Sequence, residues 1–409
     1  MKKNLVIGYN SKNYAAKRLI LDKIEGVIYK DMRFYNYYFW INIIWWILKI
    51  LKISPLKGHK QYEKLFLKYK KLTFTKSKID GLHLFNTVNY SEKLPWVLTV
   101  ETFAPYDLKV LKKLENEKPD FSSLRNNKNF KKTIKLLAGN NCKGILPLST
   151  CTYNIQLEII KQFPEYLELI KNKMKVLHPP QELLIQNMDE KALSYDLNEK
   201  LRFIFIGRTF YLKGGLQMLK AFDKFKNTQN FEVTIVAKLD YKQNDFVFAA
   251  EKEIEETIKY IEQNKSWINH YESVSNSEVL QLIKNAHVGL LPTWVDTYGY
   301  ALLECQAGGC PVISTNVRAL SEINNNDLGW LIDVPTNRLN HPQFYSTNDF
   351  KEFAISIESG LAAILKNIFE NKESIKQKGE ACLEKIRREH NPIEYAKTLE
   401  NIYNGNLKS

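Results

Sequence analysis

Two stretches of this chain combine residue types that handle anions and hydroxyl groups. The first is VGLLPTWVDTYGYALLECQAGGCPVIS, residues 288–314, in which seven residues separate Asp296 from Glu304. A short apolar strand, Val288 to Leu291, is stopped by Pro292, and the spacing predicts a helix opening near Tyr298-Gly299-Tyr300. Gly308-Gly309 closes that helix, and a second buried strand, Pro311 to Ser314, begins at once. The first N–H groups of a helix have no partner within it, and with the helix dipole they favour an anion. The backbone N–H groups of Tyr298, Gly299 and Tyr300 are therefore expected to point at a phosphate. Asp296 precedes the helix tip, and Glu304 lies four residues after Tyr300 on the same face, so both carboxylates can accept from sugar or ribose hydroxyls. The other stretch is FIFIGRTFYLKGG, residues 203–215. Its strand empties into Gly207, where backbone can approach a phosphate closely. Arg208 and Lys213 follow on a loop leading to a helix near Gly214-Gly215, and both can reach one anion at the sheet edge. A diphosphate leaving group needs such cations, because negative charge grows on it as its bond to a sugar breaks.

These residues resemble a known pattern. The Asp296 to Glu304 segment is similar to the donor-site signature of glycosyltransferase family 4, and Arg208 with Lys213 resembles that family's phosphate-binding pair at a matching separation. The resemblance implies a retaining glycosyltransferase with the GT-B fold: two Rossmann-like, doubly wound parallel-sheet α/β domains facing across a cleft, with the last helix crossing back to the first domain. It further implies that Asp296 contacts hydroxyls of the transferred sugar and Glu304 chelates the ribose. The attack would come from the front face, with the leaving diphosphate assisting deprotonation of the acceptor. Two positions depart from the family. Glutamate is usual where this chain has Asp296, one methylene shorter. Family members often carry histidine just after the strand that ends here at Val100, and LPWVLTVETFAPY places Glu101 there. A carboxylate at that point would orient a sugar hydroxyl or accept the acceptor's proton. The candidate catalytic residues are thus Arg208, Lys213, Asp296 and Glu101, and the candidate donor-binding residues are Gly207, Tyr298, Gly299, Tyr300 and Glu304. Base contacts are expected around Val236 to Lys238 and His270 to Ser275. The sequence contains no D-x-D carboxylate pair, and with two cations to neutralise the diphosphate no metal and no cofactor beyond a UDP- or GDP-linked donor is expected. The first strand is not followed by G-x-G-x-x-G, which argues against a nicotinamide or flavin enzyme.

The elements that must position these residues follow from the apolar pattern. A chain of 409 residues, 44% hydrophobic and 25% charged, reads as two globular domains. Strands are expected at Asn4 to Gly8, Leu82 to Phe85, Trp96 to Val100, Gly144 to Leu148 and Lys175 to Leu177. His178-Pro179-Pro180 then breaks the chain, and the polar, aperiodic Gln181 to Lys200 reads as a linker. The expected organisation is an acceptor-binding domain over 1–180, a linker over 181–200, a donor-binding domain over 201–390 and a returning helix over 391–409. In the second half, strands at Phe203 to Ile206 and Val233 to Ala237 alternate with helices at Gly215 to Phe225, Ala250 to Gln263 and Ser277 to Asn285, as in a parallel sheet. A final amphipathic helix spans Pro392 to Tyr403. The five cysteines show neither C-x-x-C nor metal-ligand spacing and read as small buried residues of a reducing compartment. His83, among apolar strand neighbours, reads as a satisfied core residue.

Charge bears on the acceptor. The net charge is +14, and residues 1–180 hold 33 Lys and Arg against 14 Asp and Glu, a surplus of 19 that the remainder offsets by 5. A basic half implies an anionic partner. Phe34 to Ile53, FYNYYFWINIIWWILKILKI, carries three tryptophans and three tyrosines with lysines beside and after them. It fits a helix lying in a membrane interface; a core helix with an aromatic face is the other reading, and Asn36, Asn42, Lys49 and Lys52 interrupt it as a span. Met1-Lys2-Lys3 leads straight into strand-like sequence, so no cleavable signal is read. The expectation is a cytoplasmic protein, peripheral on the inner face of the membrane, using a glycan or lipid-linked acceptor in bacterial surface polysaccharide synthesis. A catalytically inactive GT-B scaffold or binding subunit of a glycan-assembly complex is the alternative. Nucleic acid is not an expected partner, because the aromatics cluster in one hydrophobic run instead of interleaving with charge.

Overall fold

A computed structural model describes residues 5–9, 18–19, 24–31, 79–89, 94–191, 193, 199–239 and 251–406. The described residues form two wholly parallel sheets. The first contains β1 (Leu5–Tyr9), β2 (Val27–Asp31), β3 (Gly81–Phe85), β4 (Trp96–Val100) and β5 (Cys142–Pro147), in the order β2-β1-β3-β4-β5. Helices α1 (Leu108–Leu114), α2 (Lys128–Ala138), α3 (Thr150–Ile160) and α4 (Leu167–Lys171) accompany it. The second sheet contains β6 (Leu201–Thr209), β7 (Phe231–Lys238), β8 (Ile268–Tyr271), β9 (Val288–Leu291), β10 (Val312–Thr315) and β11 (Trp330–Ile332), ordered β11-β10-β9-β6-β7-β8. Its helices are α5 (Gly215–Asp223), α6 (Glu251–Gln263), α7 (Asn276–Lys284), α8 (Tyr300–Ala307) and α9 (Leu320–Ile323). Helices α10 (Thr347–Glu370), α11 (Glu373–Glu389) and α12 (Pro392–Asn406) complete the chain.

The strand order of the second sheet fixes where a site can form. Numbered from its own first strand it runs 3-2-1-4-5-6, so the order reverses between β6 and β9. Connections there leave to opposite faces of the sheet and open a crevice at the strands' carboxyl ends. Both chemistry-bearing stretches of the sequence leave those two strands. Central strands β4, β9 and β10 are buried at every residue, as parallel strands covered on both faces must be, and their apolar runs made them legible.

The strands absent from the expectations are β2, β8 and β11. All three lie at sheet edges; β2 and β8 are partly solvated along their length, and β11 has only three residues, so none presents a long apolar run. The strand expected at Lys175 to Leu177 does not form. That segment runs beside β5, with Lys175 N–H donating to Ile145 O (3.0 Å) and Leu177 N–H to Pro147 O (2.9 Å), but the following Pro179-Pro180 has no donors with which to extend a ladder. The Phe34 to Ile53 stretch lies outside the described residues. No helix among the described residues is long and apolar enough to cross a membrane.

The last helix, α12, returns to the first sheet. Tyr403, fully buried, places its hydroxyl 2.6 Å from His83 Nδ1 and 3.3 Å from the Tyr29 hydroxyl, while His83 Nε2 lies 2.8 Å from Thr99 Oγ1. His83 is therefore a satisfied core residue, and burial pulls its pKa down to about 4. All five cysteines are buried and free.

Candidate active site at the switch point of the second sheet

Two loops meet at the carboxyl ends of β6 and β9 because their backbones are bonded to each other. Trp294 N–H donates to Leu212 O (3.1 Å), and the Thr293 hydroxyl donates to the same carbonyl (3.2 Å). Trp294 anchors the junction: it is buried, stacks on Phe350 at 4.3 Å and Phe353 at 4.9 Å, and donates Nε1–H to Gln217 Oε1 (3.1 Å). The glycine at 207 leaves space for Lys213 to lie across it, since a Cβ there would stand 2.8 Å from Lys213 Cγ. Lys213 Nζ accordingly reaches Asp296 Oδ2 at 2.7 Å and donates to Val295 O at 3.1 Å. Two residues 83 apart in sequence form a partly buried ion pair at the crevice.

The main-chain amides at the mouth of α8 are taken by a side chain of the same loop. Asp296 Oδ1 accepts from the N–H groups of Thr297 (2.7 Å), Tyr298 (3.2 Å) and Gly299 (3.1 Å). The ring of amides at the mouth of α8 thus holds the chain's own carboxylate. The shortness of the side chain explains it, because aspartate folds back onto the following amides as a turn and cap residue and glutamate does so poorly. The tyrosine side chains point elsewhere: the buried Tyr298 hydroxyl lies 3.1 Å from His178 Nδ1, in the chain segment between the two sheets.

Glu101 does join this site, from the other domain. It follows β4, its N–H donates to Asn86 Oδ1 (2.8 Å), and its backbone oxygen accepts from the Thr152 hydroxyl (2.7 Å). Its carboxylate accepts the Thr297 hydroxyl at 2.8 Å, one residue from Asp296. Burial raises its pKa above the ordinary value, and the charge of Asp296 adds to that; the Thr297 and Asn86 hydrogen bonds and the charge of Arg318 oppose it. A carboxyl shifted this way sits nearer the range in which it can exchange protons.

Glu304 lies on α8 with its carboxylate 2.6 Å from Arg18 Nη1, and the other arm of that guanidinium donates to Gln181 Oε1. Arg18 also lies over the Tyr300 ring, 5.0 Å from its centroid. Arg208 is not drawn in: it is exposed and makes no ion pair or hydrogen bond among the described residues. Thr297 could have been read from its place within the motif, but Arg18, 286 residues from its partner, carried no sequence signal.

The seam between the domains is tied at further points. Glu322 accepts from Thr150 N–H (2.7 Å) and Cys151 N–H (3.1 Å) at the start of α3, and Arg338 pairs with Glu158 at 2.8 Å. No group of three or more His, Cys, Asp or Glu capable of holding a metal occurs among the described residues.

Residues 188–339 match the family model described as glycosyl transferases group 1. No curated protein matches the chain in sequence. Among solved structures the chain is similar to a glycosyltransferase from Rickettsia africae ESF-5, at 16% identity and a TM-score of 0.61, with 100% of each chain covered. It is also similar to HepE from Anabaena in complex with UDP and glucose, at 11% identity and a TM-score of 0.59, covering 98% of this chain and 99% of that one. A third similar structure is WaaG, a glycosyltransferase involved in lipopolysaccharide biosynthesis, at 13% identity and a TM-score of 0.52, covering 98% and 100%. At these identities the likeness is one of fold.

Proposed function

The chain is a GT-B protein whose residues 188–339 belong to the group 1 glycosyl transferases, and on that premise we propose that it transfers a sugar, with retention and without a metal, from a UDP- or GDP-linked donor to a glycan or lipid-linked acceptor. The observation that carries this reading is the convergence of Lys213, Asp296 and the α8 amides where the sheet order reverses. A cation and aligned N–H groups are what a departing diphosphate requires. In the transfer, the bond from the anomeric carbon to the phosphate oxygen breaks and its electron pair goes to the diphosphate, beside Lys213. The acceptor oxygen bonds to that carbon on the same face, and its proton passes to the leaving diphosphate. Donor binding first exchanges the Asp296 carboxylate at the amides for phosphate, which frees Asp296 to meet the sugar hydroxyls. In the same way the ribose takes Glu304 from Arg18. Arg208, exposed at the rim, meets the diphosphate from solvent. Glu101, carried in from the first domain, faces the sugar and the incoming hydroxyl. HepE, in its complexes with UDP and glucose, supports a nucleotide-sugar donor for this chain too.

Melting curves with UDP, GDP, ADP and CMP test the reading, since a ligand held by the native state alone raises the melting temperature by mass action. One nucleotide should stabilise the wild type and lose its effect in Lys213→Ala; no response to any nucleotide would overturn the donor site. The Arg18–Glu304 pair favours one other reading, a binding subunit locked shut. In that case nucleotide-sugars would be neither transferred nor hydrolysed in assays where the wild type still binds UDP or GDP.

The basic first half supports an acceptor at an anionic membrane on the cytoplasmic face, in bacterial surface polysaccharide synthesis; the similar structure WaaG is a glycosyltransferase involved in lipopolysaccharide biosynthesis. Sedimentation with vesicles containing phosphatidylglycerol should carry the protein down at low salt, and vesicles of phosphatidylcholine alone should not. Equal behaviour with both would remove the membrane from the proposal.

A further inference from the structure

Arg318 follows β10 and stands at the seam where the candidate site lies. Its side chain is 2% exposed, and Nε, Nη1 and Nη2 are all buried with no hydrogen-bond partner among the described residues. The carboxylates whose charge reaches it are Glu101 from the first domain and Asp296 from the second, with the Cys151 thiol and His341 also beside it. Neither carboxylate binds it. Glu101 is taken by Thr297, and Asp296 by Lys213 and three amides. The backbone is costly as well, because Arg318 adopts φ of 53° in the left-handed region, held by its N–H donating to Asn340 O. A native chain rarely leaves five guanidinium N–H donors buried and unused, and such a group calls for a ligand that satisfies them.

We propose that Arg318 recognises an anionic substituent, a carboxylate or a phosphate, on one of the two sugars that meet at the domain seam. The guanidinium is planar and forked, matching either group through two parallel hydrogen bonds. The charges of Glu101 from the first domain and Asp296 from the second both reach it, which places the substituent at the seam, while Lys213 meets the diphosphate. A neutral hexose offers those donors hydroxyl lone pairs but leaves the guanidinium charge unmatched. The sugar chemistry is therefore that of a uronate or a sugar phosphate. This inference rests on the glycosyl-transfer reading of the site.

The test uses the full chain in paired melting titrations. UDP-glucose is compared with UDP-glucuronate, and GDP-mannose with GDP-mannuronate, to examine the donor sugar. Glucose, glucuronate and glucose 6-phosphate, added to protein saturated with UDP or GDP, examine the acceptor side and separate carboxylate from phosphate. In one arm the charged member should bind about 10-fold or more tighter than its neutral partner, the size of a lost charged hydrogen bond. Arg318→Met should abolish that preference and Arg318→Lys keep part of it. Ligand-free Arg318→Met should melt no lower than wild type, because it removes an unpaired buried charge; a residue that merely braces the seam would lower it. Equal binding of charged and neutral members in every wild-type arm overturns the proposal whether or not the variants fold, and so does a preference that survives Arg318→Met. If a nucleotide binds but no charge preference appears, only the role of Arg318 falls. If no nucleotide binds, the donor site falls and Arg318 with it.

Discussion

Asp296 shows how one methylene changes what a site residue does. At this length the carboxylate caps the amides at the mouth of α8 while holding Lys213, so cation, anion and helix tip stay together without substrate. Lys213→Ala should leave that cap intact and the melting temperature nearly unchanged, while kcat/KM falls by about 10²–10³-fold, the scale for losing one group aimed at developing charge. A transfer assay with the donor that the melting screen identifies measures it. Glu101 gives a prediction with a sign. Its ordinary value is 4.5, and burial raises the folded value above that. Between the two, the native state holds a proton that the unfolded chain has released, so stability falls as pH rises through that interval. Glu101→Gln keeps the acceptor for Thr297 and removes the titration. Urea midpoints at pH 4 and pH 7.5 should show the wild type losing stability relative to the variant; a constant difference between the two would contradict the shifted carboxyl.

At the scale of elements, the site depends on two glycines that start helices. Gly214, preceding α5, has φ of 79°, and Gly299, preceding α8, has φ of 90°. Alanine at either is strained by backbone conformation. The space around them differs. A Cβ at Gly214 would lie 1.9 Å from the backbone oxygen of Pro292, which cannot move without dragging the β9 loop, whereas at Gly299 it would meet the end of the Leu320 side chain at 2.5 Å. Gly214→Ala should therefore cost more than Gly299→Ala, with the first above about 3 kcal/mol and the second about 1–2 kcal/mol. Denaturant unfolding gives both values, and the reverse order would show that the two loops are not fastened as described. The sequence marks both as residues at which helices open. Which of them is pressed against backbone depended on β6 and β9 being neighbours, a pairing between strands far apart in the chain.

For the whole molecule, acid should be damaging. Burial lowers His83 and His390 to about 4 and His341 to about 3, from an ordinary value of 6.5. Arg318 adds to the shift at His341. In the unfolded chain these imidazoles take up protons below 6.5, and in the native one they do not until the lower values. The stability they contribute is complete above pH 6.5 and lost as pH falls towards 4, at roughly 3 kcal/mol per histidine by the end of that window. Glu101 has the opposite slope. Two of the histidines also hold parts of the molecule together: His83 fastens α12 to the first sheet, and His390 Nδ1 lies 2.8 Å from Pro179 O between the sheets. Melting temperatures from pH 7.5 to 4.5 should fall steeply, and His83→Gln should fall less steeply than wild type.

The sequence by itself determined the buried strands, the βα alternation and the three stretches that carry Lys213, Asp296 and Glu101. Those are local signals: apolar runs, glycines at helix starts, and charged side chains placed beside them. Edge strands β2, β8 and β11 escaped it because solvent on one side dilutes the apolar pattern. Only the tertiary structure decided which groups the functional residues actually hold. It folded Asp296 onto its own helix, gave Glu304 to Arg18, left Arg208 in solvent and buried Arg318 at the seam with no hydrogen-bond partner among the described residues. Each of these outcomes depends on distance between loops and on what else is within hydrogen-bonding reach, quantities that a strand order sets and a residue pattern does not contain.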